Sequence, residues 1–98
     1  MSELTPWETT KTFLRQGDIV EGTITQHEPY GVFVDIGHPF LGLIQIVDFV
    51  DVGIFKSSEY PPIGARIKAV VLGFKEGAKE VQLGVKPSQL NKKWNDEK

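Results

Sequence analysis

The sequence predicts an all-β fold: a small closed barrel of five antiparallel strands. Three observations lead there. From Gly17 onward, short apolar stretches are broken by Gly and Pro. Within those stretches apolar and polar residues alternate with the period of two that a strand with one buried face requires. One connection, between the third and fourth stretches, is much longer than the others, and closing the strands into a ring removes sheet edges that so short a chain would leave open.

The first strand is expected over about residues 18 to 27, with Val20, Gly22 and Ile24 on one face. The second covers about 30 to 37. Val32, Val34 and Ile36 share its inner face, and Phe33 and Asp35 take the other. The third is FLGLIQI, 40 to 46. A long connection, VDFVDVGIFKSSEYPPIG, follows and is expected to hold a short helical turn before Pro61 and Pro62. The fourth strand covers about 65 to 74, with Ile67, Ala69 and Val71 alternating with Arg66, Lys68 and Val70. The fifth covers about 80 to 85, with Val81, Leu83 and Val85 alternating with Glu80, Gln82 and Gly84. Such a set fits a five-stranded Greek-key barrel, the oligonucleotide-binding (OB) fold. Periodicity alone leaves an SH3-like barrel open.

The chain divides into a polar leader (1–16), the strand-bearing domain (17–86) and a polar tail (87–98). In the leader Trp7, Phe13 and Leu14 are the side chains available for packing, and in the tail Leu90 and Trp94 are. The tail reads either as a short helix or as disorder. There is no cysteine, so disulfides and thiolate metal sites are excluded. His27 and His38 lack partners at metal-ligand spacing and sit in or beside turns. No serine lies in a nucleophile-elbow context and no phosphate-cradling glycine loop is present. The carboxylates are scattered. The expectation is a noncatalytic protein without cofactor or metal. The N-terminus lacks a signal pattern and no apolar run approaches a membrane span. A cytoplasmic monomer is therefore expected, with no membrane contact.

Charge complicates a nucleic-acid reading. The whole chain carries −2, and residues 17–86 hold six Lys or Arg against nine Asp or Glu. Phosphate neutralisation supplies much of the affinity of nucleic-acid binders, so an acidic barrel argues against tight nonspecific binding.

The ordered segments GDIVEGTI, PYGVFVDIG, GLIQI, IGARIKAVVL and VQLGVK resemble the ribosomal S1-type RNA-binding domain over about residues 17 to 86. The flanks, PWE before and KPSQLNKKW after, resemble linkers between repeats of the ribosomal protein. The resemblance implies an OB barrel and a single-stranded RNA ligand. It implies an RNA face in which Tyr30 and Phe33 fill two aromatic positions of the second strand and Asp35 fills an acidic one. The chain departs from the family elsewhere. Gln45 stands where His is common, Lys75 where an Asp recurs, and Glu80 where an Arg often opens the fifth strand, with Lys79 just before it.

Tyr30 and Phe33 are thus candidates to stack bases, a contact that tolerates any sequence. The alternative is that both rings pack against leader or tail through Trp7 or Trp94. Gly31 reads as a bend or a point of close backbone approach. Arg66, Lys68, Lys75 and Lys79 form either a phosphate-binding strip or a solvated strand face. Asp35 can accept a hydrogen bond from a base or from the ribose hydroxyl that distinguishes RNA from DNA. It can equally bond the backbone at its own strand end. Gln45 can donate or accept at a base edge.

The expected function is weak binding of single-stranded RNA with little sequence preference, in translation or RNA metabolism. Tyr30 and Phe33 supply stacking, Asp35 and Gln45 polar contacts, and Lys68, Lys75 and Lys79 phosphate contacts. Ribosomal or RNA-processing proteins are expected partners. The competing expectation is a protein-interaction module that docks on a ribosomal, nuclease or polymerase partner through the apolar connection around Phe49, Ile54 and Phe55.

Overall fold

A computed structural model describes residues 3–92. Five strands close into a barrel: β1 (Ile19–Glu28), β2 (Gly31–Asp35), β3 (Gly42–Gln45), β4 (Arg66–Lys75) and β5 (Glu80–Gly84). They run around the ring in the order β1-β2-β3-β5-β4. Four of the five neighbouring pairs are antiparallel; β3 and β5 are parallel. The expected all-antiparallel barrel is corrected at that one pair. The reason is a matter of counting. Strand directions cannot alternate around a closed ring of odd number, so one neighbouring pair must run the same way.

The alternation read in the sequence sets the core. Ile24, Val32, Val34, Ile44, Val71, Val81 and Leu83 are buried inside the ring. One outward-facing residue of the polar face is nonetheless buried. Val70 was expected on the polar face of β4 and is 0% exposed. It lies between Ile19 of β1 and Gly84 of β5, where the short helix α2 (Pro87–Leu90) also packs against β4. Irregular pairing bends β1 between Ile24 and Gln26, and β4 between Val71 and Gly73. Such bulges tighten the twist that a small ring needs.

The leader contains a helix, α1 (Pro6–Phe13). Thr5 and Glu8 form a reciprocal cap: Thr5 Oγ1 accepts from the Glu8 amide at 3.1 Å, and Glu8 Oε1 accepts from the Thr5 amide at 3.0 Å. Pro6 occupies the first turn, where its missing N–H costs nothing. Trp7 is buried with its ring edge-on to Phe40 (5.1 Å) and Phe74 (5.8 Å). Leu14 is buried as well, whereas Phe13 is exposed. Glu76, in the turn between β4 and β5, accepts from Trp7 Nε1 at 2.7 Å and pairs with Lys11 Nζ at 2.6 Å. One carboxylate thus ties α1 to the β4–β5 turn.

The long connection contains two 3-10 turns, Ile46–Asp48 and Ser57–Glu59, where a single helical turn was expected. Phe49 stacks on Phe55 at 4.4 Å, and Tyr60 closes the group, donating its hydroxyl to the Glu28 carbonyl at 2.8 Å. Asp51 holds the start of α2 through the Ser88 amide at 3.0 Å and the Ser88 hydroxyl.

Candidate nucleic-acid interface

The outward side of β2 and β3 carries Phe33, Asp35 and Gln45 of the sequence-predicted site, with Tyr30 just before β2. Strand register arranges it in transverse rows, because residues directly opposite one another point the same way. The central row reads Gln26, Phe33, Leu43, Gln82 and Gly73. A second row reads Glu28, Gly31 and Gln45. Lys75 and Glu80 face each other across β4 and β5. Asp35 faces Thr23, which in turn faces Arg66.

The Tyr30 ring lies 6.2 Å from the Phe33 ring, with the planes at 88°. Tyr30 is 51% exposed, and Phe33 is half-buried. Leu43 beside it is 2% exposed yet lies on the outward face, outside the main core cluster. Phe33 thus has a buried apolar neighbour across the strand, and about half of the Tyr30 surface meets water. Neither pairs with Trp7, which turns to Phe40 and Phe74 instead. Trp94, the other side chain considered as a cover, lies outside the described residues.

Gly31 is the joint on which this arrangement depends. A Cβ there would fall 2.3 Å from the Ile44 carbonyl oxygen and 2.9 Å from the Gln45 Cα. The β2 and β3 backbones approach too closely for any side chain. Gln45 is thereby drawn alongside the ring pair, and the Tyr30 carbonyl accepts from the Ile46 amide at 2.8 Å.

The electrostatics around the rings are acidic. Partial desolvation first, then the negative charges of Glu28 and Glu80, raise the Tyr30 phenol above its ordinary value. The hydroxyl thus stays protonated and able to donate. Gln26 directs its amide nitrogen at Glu28 Oε2. Glu28, Gln26 and Gln82 were not singled out in the sequence. The alternation that turns Phe33 and Glu80 outward also turns Gln82 outward, so that signal was present.

The remaining candidates are placed as follows. Lys79 is in the β4–β5 turn with φ +56°, and its amide donates to the Lys75 carbonyl at 2.7 Å. Both lysines therefore stand at the end of the hairpin that Glu76 ties to α1. Asp35 Oδ1 accepts from the Gly37 amide at 2.9 Å, the strand-end role weighed for it. Lys68 stands apart. Its partner on β1 is Glu21, whereas the β1 partner of Phe33 is Gln26. Those partners are five positions apart along β1, about 16 Å at the usual rise. On that other wall Arg66 pairs with Glu21 at 3.6 Å and donates to Thr23 Oγ1 at 3.1 Å.

Among the described residues no group of His, Cys, Asp and Glu is arranged to hold a metal ion, and no helix is long and apolar enough to cross a membrane.

Comparison with known proteins agrees with this fold. Small ribosomal subunit protein bS1 from Rickettsia conorii is 30% identical over 78 residues, covering 80% of this chain and 14% of that protein. The Staphylococcus epidermidis bS1 is 28% identical over 82 residues, covering 84% of this chain and 21% of that protein. The chain thus spans about a fifth or less of these relatives. Among solved structures, GSP13 from Bacillus subtilis superposes with TM-score 0.68 at 21% identity, over 87% of this chain and 65% of that one. RNase R from Mycoplasma genitalium, in complex with ribose-methylated single-stranded RNA, superposes with TM-score 0.65 at 18% identity, over 81% of this chain and 14% of that one. The family model of the S1 RNA-binding domain matches residues 14–86, most of the chain, and the protein belongs to that family.

Proposed function

We propose that this domain binds single-stranded RNA without acting on it chemically, weakly and with little overall sequence preference, in translation or RNA metabolism. The observation that carries the proposal is the edge-to-face pair of partly open rings, Tyr30 and Phe33, beside the buried Leu43. Base–aromatic stacking contributes about 1–3 kcal/mol per base and needs no particular sequence. Gln45 and Asp35 contact base edges or ribose at the margins of the rings. Lys75 and Lys79 meet phosphates from the tethered hairpin. Lys68 serves only an RNA that continues around the barrel. Family membership supports this reading over docking on a protein through the apolar connection. Ribosomal or RNA-processing proteins are partners that the likeness to bS1 suggests.

The acidic surround keeps affinity modest. We expect a Kd near the ~10⁻⁴–10⁻⁶ M typical of nonspecific binders at physiological salt. The test is a titration with short single-stranded RNA at several salt concentrations, on the wild type and on Tyr30→Ala/Phe33→Ala. Affinity should fall along a log–log line in salt and drop sharply in the double variant. An unchanged affinity in that variant sinks the stacking proposal.

A further inference from the structure

Tyr30 and Phe33 can stack a base each, whereas OB folds engage about 4–16 nucleotides. A bound strand therefore runs on past the two rings. In the row on the Gly31 side it meets the Glu28 carboxylate. On the other side β2 ends at Asp35, and the exposed Leu41, which precedes Gly42 opposite Val34, continues that row. The Asp35 bond to the Gly37 amide and the φ of +83° at Gly37 then turn the chain. His38 follows the turn and meets Phe13 of α1, the ring centroids 6.4 Å apart and the planes at 41°. Five residues separate His38 from Phe33, a span of at most about 17 Å.

Phe13 is 69% exposed, although the next residue, Leu14, is buried. The helix that carries it is pinned at one end by Trp7 and Glu76 and at the other by Leu14. A ring held on a fixed helix loses little freedom when a ligand meets it. Charge favours a polyanion on this side. Lys75 and Lys79 stand on the hairpin tied to α1. Arg15, two residues after Phe13, is exposed and forms no ion pair among the described residues.

We propose that Phe13, backed by His38, is a second stacking platform for a base farther along the same RNA strand, with Arg15 meeting a neighbouring phosphate. The inference rests on the RNA-binding reading above and extends it. Phe13 precedes residues 14–86, the span shared with the family, so this platform is supplied by the leader helix and not by the common barrel.

The test titrates oligoadenylates of three and of ten nucleotides into the whole chain and its Phe13 variants. In Phe13→Ala the long oligomer should bind about fivefold more weakly, the low end of a stacking contact. The short one, sufficient for the β2 rings, should bind as it does to the wild type. Phe13→Tyr keeps a ring and should match the wild type. Phe13→Leu keeps apolar area without a ring and should match Phe13→Ala. Thermal melts equal to the wild type's show that the barrel is intact. With matched melts, equal binding of the long oligomer by wild type and Phe13→Ala would overturn the second platform and leave RNA binding standing. Loss by the same factor for both oligomers would also overturn it, since Phe13 would then act through the β2 rings. Full binding by Phe13→Leu would overturn stacking as its basis. Binding of neither oligomer to the wild type would overturn the RNA-binding reading itself.

Discussion

Two of the barrel's aromatic groups are treated in opposite ways by its own fold. Trp7, Phe40 and Phe74 meet edge to face beneath α1, and the indole N–H ends on Glu76. Tyr30 and Phe33 meet edge to face on the outside of β2, and no element among the described residues stacks a further ring on them. A small domain gains stability by burying large rings. Here α1 covers one group with its own tryptophan, while the second stands half in water among glutamines and carboxylates. Scattered exposed apolar residues need no explanation, but an organised pair with a polar rim has the character of a binding surface. The first group holds the fold together, and the second is available to a ligand.

The largest expected effect falls on the closed group. Trp7→Ala removes a buried indole and should destabilise the domain by about 3–5 kcal/mol, read from urea denaturation. At temperatures where the variant is folded, its RNA affinity should change far less. A variant of normal stability that has lost RNA binding would break the comparison. The open group should show the reverse. Tyr30→Ala should reduce affinity by about 1–3 kcal/mol while shifting stability by no more than about 0.5 kcal/mol. If isothermal titration shows little loss but the melt drops steeply, Tyr30 belongs to the core in function as well.

Gly31→Ala sharpens the comparison from the backbone side. Its Cβ would meet the Ile44 carbonyl oxygen at 2.3 Å, so β2 and β3 must part. Overpacking of this kind costs about 1–3 kcal/mol. Hydrogen exchange should quicken in β2 and β3 before β4, and RNA affinity should fall because Gln45 shifts from the rings.

A smaller effect follows from the clamp on α1. The bond from Lys11, and then that from Trp7, hold the Glu76 carboxyl below its ordinary value. A group that ionises more readily when folded stabilises the fold above its unfolded value, and the contribution is lost as pH falls through the folded value. The stability difference between wild type and Glu76→Gln should therefore be present at neutral pH and vanish in acid. A difference that persists with the carboxyl protonated would assign Glu76 a role other than this charge.

Much of the fold was legible in the residues. The alternation of Val32 and Val34 with Phe33 and Asp35 placed Phe33 outward because burial on a strand follows parity. Gly31 was readable as a close approach for want of any side chain. Three features were not read correctly. The helix α1 within the leader was not read, although Thr5-Pro6-Trp7-Glu8 is a capping box with proline in the first turn. Val70 was read as outward, and parity was right; what buries it is α2 and the flanking strands, which local pattern does not report. The parallel β3–β5 pair is a property of ring closure, visible only once the strands are counted around a circle. At the interface, Tyr30, Phe33 and Gln45 emerge together, while Lys68 lies on another wall because register, not composition, decides which outward residues meet.

The most direct measurement is an RNA titration of the isotopically labelled domain followed by NMR chemical shift, comparing the two aromatic groups in one spectrum. Single-stranded RNA should move the signals of Tyr30, Phe33, Gln45 and the indole-free rim at Gln26 and Gln82, while the Trp7 indole N–H stays still. Shifts concentrated on the long connection around Val52 and Ile54, with Tyr30 and Phe33 silent, would contradict the assignment of the open rings to RNA.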